Sequence, residues 1–210
     1  MDSVFYLLKP NRKADFLKDL LNDFMGVLVS DFLPGYDSLK CPQQKCLIHL
    51  IRDMNGDLLK NQMNWEYRDM ITQFGKLLRK IIATIDEYGL KKRHLNKHKK
   101  DVENFFDEIL NKEYETELAL SYQKRLKKNK GKLFTFLDYD GIPWNNNNAE
   151  NAIKAFAKYR EYAKGLSSKK GIEEYLILLS IQQTCKYRGV SLLDFFRSKE
   201  KSINMFCKRR

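Results

Sequence analysis

Apolar residues recur at helical spacing through much of this chain. Between residues 64 and 88 they follow the 3.6-residue period of an amphipathic helix, and Gly89 is placed to end it. The same spacing predicts helices at residues 12–24, 43–54 and 172–187. Two more helices are predicted around residues 102–110 and over a run that ends at residues 124–128. The pattern indicates a protein rich in helices.

Short apolar runs predict strands at residues 3–8, 27–29 and 133–137. The first two flank the helix at 12–24, so strand, helix and strand follow one another within about 30 residues, as in a right-handed βαβ crossover. Ligands of open α/β sheets bind beyond the carboxyl ends of the strands. Asp31 follows the second of these strands and is therefore a candidate ligand-binding residue.

The alternation of these elements predicts an α/β protein with an interrupted core. Residues 1–56 and 133–170 contain the predicted strands and form the expected core. Residues 57–132 are predicted to be an all-helical insertion, and residues 171–210 form C-terminal helices.

Composition narrows the class of protein. Hydrophobic residues make up 43% of the 210 positions, which is enough for a folded core. No apolar stretch approaches the ~20 residues of a membrane span, so we expect no membrane partner. The four cysteines show no disulfide-framework spacing, which favours a reducing cytoplasm.

Positive charge is concentrated in two segments of the chain. The formal net charge is +12; residues 57–132 contribute +6 and residues 151–210 contribute +9, whereas the remainder is slightly acidic. Basic segments beside an acidic site are typical of proteins that bind a polyanion. Lysine-rich helices that are merely solvated would give the same totals, and charge alone does not separate these alternatives.

Two carboxylates are the strongest candidates for chemistry. Asp31 follows a strand, and Glu150 lies at the start of an amphipathic helix that opens with the asparagines 145–148. Two divalent cations held by such acids can activate a hydroxyl and stabilise a leaving oxygen in phosphodiester chemistry. The alternative is structural, with Asp31 capping a turn and Glu150 interacting with a helix N-terminus.

Cys41, Cys46 and His49 raise the alternative of a zinc site. Structural zinc uses four ligands, and no second ligand pair follows at a useful distance. Buried thiols are the favoured interpretation of the two cysteines.

Three blocks in order resemble the bacterial DDE transposases of the insertion-sequence 66 group. They are GVLVSDF at 26–32 with GYD at 35–37, CPQQKCLIHLIRD at 41–53, and NNNNAENAI at 145–153. The resemblance implies a ribonuclease-H-like fold, interrupted by the helical insertion, and Mg²⁺-dependent (or Mn²⁺-dependent) cleavage and transfer of DNA strands. It assigns Asp31 as the second acid of the site and Glu150 as the third.

The resemblance also implies roles for nearby side chains. His49 and Arg52 would lie close to the active site, where His49 could position a phosphate or nucleophile. A DNA strand passing the metals would need phosphate partners on the helix that follows Glu150. The candidates on or near that helix are Lys154, Lys158, Arg160 and Lys164.

One part of the family pattern is missing. Members carry their first acid on an earlier strand within an Asp-Glu-Thr block, and this sequence has no such block. We therefore expect a transposase truncated at its N-terminus, lacking its first strand, with weak or no activity alone. Its expected partners are double-stranded DNA (transposon ends and target) and a second copy of itself or a full-length transposase, at the bacterial nucleoid. The alternative is a non-catalytic DNA-binding or transposase-associating remnant.

Overall fold

A computed structural model of the chain describes residues 3–9, 15–163 and 168–208. Within them the secondary structure is mostly helical with a small two-stranded parallel sheet, which is compatible with the predicted α/β class. The elements are α1 (Asp15–Leu20), β1 (Leu28–Ser30), β2 (Gln43–Lys45), α2 (Leu47–Lys60), α3 (Trp65–Tyr88), α4 (Lys92–Leu95), α5 (Lys99–Asn111), α6 (Glu117–Leu133), α7 (Asn147–Ala163), α8 (Lys169–Tyr187), α9 (Leu192–Arg197) and α10 (Ile203–Lys208), with 3₁₀ turns at Pro34–Ser38, Asn96–His98 and Thr135–Asp138.

These elements form two compact units. One comprises Lys13–Asn146, and the other comprises Met1–Arg12 with Asn147–Arg210. The division into core, insertion and C-terminal helices that we predicted from the sequence stays a prediction. Among the described residues, no helix is both long enough and apolar enough to cross a bilayer.

Helix α3 confirms the clearest prediction from the sequence. Its N-cap Asn64 accepts a hydrogen bond from the backbone of Tyr67, and Gly89 ends it at φ 68°, a left-handed conformation that glycine adopts without strain. Its buried face carries Phe74, whose ring lies 5.7 Å from that of Phe105 in α5 and 6.3 Å from that of Phe134. The predicted helical period therefore marks the main core of the Lys13–Asn146 unit.

The sheet consists of β1 and β2, which pair in parallel with Leu28 opposite Gln43 and Ser30 opposite Lys45. We predicted that a helix would begin at residue 43, and this is wrong for its first residues. Gln43, Gln44 and Lys45 are all buried in β2, and α2 begins only at residue 47. The prediction failed because β2 consists of buried polar residues, and it therefore lacks the apolar run that indicates a strand.

The strand predicted at residues 133–137 is also wrong. Helix α6 extends to Leu133, and the 3₁₀ turn Thr135–Asp138 follows it. The Gln44 side chain explains the difference, because its amide donates to the carbonyl of Leu133 and its oxygen accepts from the backbone N–H of Phe136. The carbonyl of Leu133 and the N–H of Phe136 thus form their hydrogen bonds with a side chain and not with a neighbouring strand.

Residues 3–8 likewise do not form the predicted strand, since residues 3–9 have no regular secondary structure. Side chains of α8 take the place of a strand partner. The Val4 N–H donates to Thr184 Oγ1 at 2.9 Å, and the Tyr6 N–H donates to Ser180 Oγ at 3.1 Å. The β-branched and aromatic composition of this segment suits packing on a helix as well as pairing in a sheet.

The remainder of this second unit is built around α8. The N-cap Ser168 accepts from the Gly171 N–H, and the helix confirms the prediction at residues 172–187. A small cluster of Cys185, Phe195 and Phe206 joins its C-terminal end to α9 and α10.

Candidate functional site

Asp31 stands directly after β1, as predicted. Its Oδ1 accepts a hydrogen bond of 3.0 Å from the Leu33 N–H, which fixes the carboxylate in a local turn. Within the described part of the chain, its other oxygen makes no hydrogen bond, and the residue is half-buried. An ordered carboxylate with an available oxygen fits a hard cation such as Mg²⁺.

Lys45 lies beside the same end of the sheet because it pairs with Ser30 in the strand register. Its side chain is only 1% exposed, and its Nζ lies 3.4 Å from both Asp37 Oδ1 and Ser30 Oγ. Burial lowers the pKa of Lys45, and the charge of Asp37 acts in the opposite direction. The sheet edge therefore contains a buried amine next to the candidate acid.

Asp37 forms ion pairs with three lysines. Its carboxylate lies 3.0 Å from Lys132 Nζ, 3.3 Å from Lys128 Nζ and 3.4 Å from Lys45 Nζ. Burial acts to raise the pKa of Asp37, but the hydrogen bond from Lys132 and the charge of Lys45 outweigh it and lower that pKa overall. The loop after β1 is thus tied electrostatically to both β2 and α6.

Helix α2 supplies the predicted His49 and Arg52. They lie three positions apart, so they share one side of the helix; His49 is half-buried and Arg52 is exposed. Cys46, at the N-cap of α2, is fully buried, and its Sγ accepts from the Asn146 N–H at 3.4 Å. Its sulfur lies within 4.8 Å of a His49 ring nitrogen. The burial of Cys46 fits the predicted buried thiol.

Helix α7 positions Glu150 in its first turn, and the residue is half-buried. Lys154 and Lys158 follow at four-residue intervals and therefore share its side of the helix, where both are exposed. Lys154 Nζ donates to Asn151 Oδ1 at 3.1 Å. Arg160 is exposed on an adjacent side.

Ala152 is the buried residue in the first turns of α7, and its carbonyl accepts a hydrogen bond from the Tyr6 hydroxyl. The neighbouring Ile153 is 61% exposed. Lys164, a predicted phosphate contact, lies outside the described residues.

Asp31 belongs to the Lys13–Asn146 unit and Glu150 to the other unit. The pairing of these two acids around shared cations therefore stays a prediction. The same holds for the roles of His49, Arg52 and the basic residues of α7.

The Asp37 cluster was not predicted from the sequence. Asp37 was noticed only as part of the block at 35–37, and no role followed from it. The spacing of Lys128 and Lys132, one turn apart on a helix, could have indicated a shared partner. That the partner lies 95 residues away in sequence is a property of the tertiary structure alone.

Comparison with known proteins supports the resemblance in the sequence. The family model described as "Transposase IS66 family" matches residues 1–174. Neither the curated proteins nor the solved structures include a match.

Proposed function

Because this chain belongs to the IS66 family of transposases, we propose that it acts on DNA in transposition by metal-dependent strand cleavage and strand transfer. The proposal includes a ribonuclease-H-like arrangement of the core around β1. The observation that carries it is the family match over residues 1–174, which includes both candidate acids. The ordered carboxylate of Asp31 at the end of a parallel strand supports it.

In the proposed mechanism, Asp31 and Glu150 hold one or two divalent cations. A cation bound there would lower the pKa of a bound water and neutralise charge on the scissile phosphate. Asp31 suits this role because the Leu33 N–H holds one oxygen and leaves the other available. His49 would position the phosphate or the attacking hydroxyl from the adjacent helix.

Basic side chains would hold the DNA beside these acids. We propose that Arg52 contacts phosphate from α2 and that Lys154, Lys158 and Arg160, with Lys164, do so along and after α7. Exposed lysines spaced by one helical turn can follow a phosphate backbone without reading base sequence. The substrate would be double-stranded DNA at transposon ends and target sites, acted on at the nucleoid by an oligomer.

The family pattern assigns only two of its three acids to residues of this chain. Fewer carboxylates bind the cations less tightly, so we expect strand cleavage by this chain alone to be slow. A transposase that carries all three acids in the same assembly would then increase the rate.

The test is nicking of an end-labelled duplex that carries the terminal sequence of the encoding element, with Mg²⁺ or Mn²⁺. We expect metal-dependent nicking that Asp31→Asn and Glu150→Gln each abolish. The matched controls are Asp23→Asn, an exposed acid in the same unit as Asp31, and Glu161→Gln, an exposed acid on α7. Nicking that survives loss of Asp31 or Glu150 would contradict the proposed site.

A second candidate function is DNA binding without catalysis. The observation that favours it is the run of exposed lysines on α6 at 124, 127, 128 and 130, which lies outside the proposed catalytic residues. Salt-sensitive binding of the same duplex with no nicking under any metal condition would support this function over the first.

A further inference from the structure

Helix α6 has two chemically distinct sides. Tyr122, Leu126 and Leu133 are buried against the core. Lys124, Lys127, Lys128 and Lys132 lie on the other side, which we call the α6 lysine face; the first three are exposed and Lys132 is partly exposed. Helical geometry places 124, 128 and 132 in one row, one turn apart. Such a row matches the spaced charges of a phosphate backbone better than scattered lysines would.

The α6 lysine face lies alongside the loop that follows Asp31. Two of its lysines contact Asp37 in that loop, at 3.0 and 3.3 Å. On the same helix, the guanidinium of Arg125 lies 4.7 Å from the centre of the Phe32 ring, and Phe32 is the residue next to Asp31. Arg125 is held by an ion pair of 2.7 Å with Asp53 of α2. A strand bound along α6 would therefore pass close to the candidate acid.

The charges around Asp37 do not balance. One carboxylate faces three ammonium groups, those of Lys45, Lys128 and Lys132. Lys45 is 1% exposed and is held in place, whereas the Lys128 side chain is 66% exposed and can turn to another anion. An incoming anion would find an arranged group of cations with more positive than negative charge.

We propose that the α6 lysine face binds the backbone phosphates of duplex DNA, and that Asp37 occupies the position of a phosphate until DNA replaces it. The ligand is the phosphodiester backbone, since a lysine ammonium binds phosphate as a point charge. The proposal rests on the proposed function, because the α6 lysine face would place DNA for cleavage only if Asp31 acts on DNA.

Asp37 limits binding in this arrangement. While it holds Lys128 and Lys132, a phosphate must compete with a carboxylate that is already in place. Removing the charge of Asp37 should therefore strengthen DNA binding. A purely structural role for the ion pairs predicts no such gain.

The experiment measures binding of a labelled duplex by the full chain in EDTA, over a range of salt concentrations. Each phosphate contact contributes about −0.9 to the slope of log K against log salt, so a fourfold rise in salt weakens binding about 3.5-fold per contact. We expect the double variant Lys124→Gln with Lys128→Gln to lose about 1.8 from the magnitude of this slope.

The matched control is Lys80→Gln on α3. The Lys80 side chain is 64% exposed and is paired with Asp101 at 3.8 Å, which resembles the 66% exposure and 3.3 Å pairing of Lys128. We expect this control to leave both affinity and slope unchanged. A loss in the single-charge control half as large as the loss in the double variant, or larger, would overturn the proposal, since it would show only an effect of total charge.

The second arm uses Asp37→Asn, which removes the charge and keeps a side chain of similar shape. We expect affinity at low salt to rise by at least about threefold and the slope to steepen by about 0.9. Weaker or unchanged binding by a folded Asp37→Asn variant, checked by thermal melting, would overturn the role of Asp37. The exposed-lysine variants test the α6 lysine face if Asp37→Asn does not fold.

These measurements separate the inference from the proposed function. Binding in EDTA needs neither metal nor cleavage, so an unchanged slope in the lysine variants overturns the inference even if Asp31→Asn abolishes nicking. Reduced binding by the lysine variants in a chain that never nicks DNA supports the α6 lysine face and contradicts the catalytic proposal.

Discussion

The side-chain amide of Gln44 donates a hydrogen bond of 2.8 Å to the carbonyl oxygen of Leu133, across 89 positions of sequence. The same side chain accepts from the Phe136 N–H at 3.0 Å and is fully buried. One glutamine of the sheet thus ends α6 and begins the turn that follows it. This contact couples β2, the partner of the strand that precedes Asp31, to the helix that carries the α6 lysine face.

We predict that Gln44→Leu lowers the free energy of unfolding by about 2–5 kcal/mol, because it leaves a buried carbonyl and a buried N–H without partners. Urea denaturation followed by circular dichroism measures the change. Gln62→Leu is the control, since the Gln62 amide bonds to the Leu59 carbonyl at an exposed position and its loss should cost within about 0.5 kcal/mol. Equal effects of the two substitutions would show that the hydrogen bonds of Gln44 contribute no more to stability than an exposed hydrogen bond does.

Glu66 gives a prediction about pH. Its carboxylate accepts from the Thr116 hydroxyl at 2.7 Å and from the backbone N–H groups of Glu115 and Thr116, at 2.9 and 2.8 Å. The Thr116 hydroxyl is the largest cause that lowers the pKa of Glu66, followed by the Glu115 N–H. These bonds join the start of α3 to the start of α6.

A carboxyl group whose pKa is lowered by folding stabilises the fold above its unfolded pKa and loses that contribution as pH falls through its folded pKa. We therefore expect Glu66→Gln to be less stable than the natural chain at neutral pH. The difference in melting temperature should shrink as the pH falls through and below the glutamate range, roughly pH 4 to 5. Glu108→Gln, at an exposed position of α5, is the control. A constant difference across this range would mean that the Glu66 charge does not contribute.

The sequence predicted the helices better than the strands for a physical reason. In α3 a long apolar period, an asparagine cap and a terminal glycine all indicate the same element, and each acts locally. The strands β1 and β2 have only three residues each, and β2 is wholly polar. Its burial depends on distant partners such as Leu133, which no local pattern reveals.

In the candidate site too, only features that depend on local sequence were predicted. The position of Asp31 after a strand followed from a local apolar run and is confirmed. The cluster around Asp37 could not be predicted, because it joins β2, the loop after β1 and the end of α6. Ion pairs between distant segments depend on the tertiary fold and leave no periodic signal in the sequence.

Thr184 provides a test of how residues 3–9 are held. We predict that Thr184→Val removes the acceptor for the buried Val4 N–H and destabilises this attachment by about 1–3 kcal/mol. Hydrogen exchange of the Val4 amide, measured by NMR, should become correspondingly faster. Thr72→Val is the control, because the Thr72 hydroxyl bonds to the carbonyl of Arg68 within α3 at an exposed position. Unchanged exchange at Val4 would indicate that another contact holds the segment.

Metal binding can be tested without any DNA. If Asp31 and Glu150 share a divalent cation, each of Asp31→Asn and Glu150→Gln should weaken Mn²⁺ binding by at least about tenfold, since each replaces a negatively charged carboxylate by a neutral amide. Titration followed by the electron paramagnetic resonance of free Mn²⁺ measures the affinity. The double variant should be little weaker than either single variant, because ligands that act on one ion are not additive.

Asp23→Asn and Glu161→Gln should bind Mn²⁺ as the natural chain does. Independent effects of Asp31→Asn and Glu150→Gln, adding fully in the double variant, would indicate two separate sites. That result would contradict the shared metal centre on which the proposed cleavage depends, while leaving the DNA-binding role of α6 to be decided by its own salt dependence.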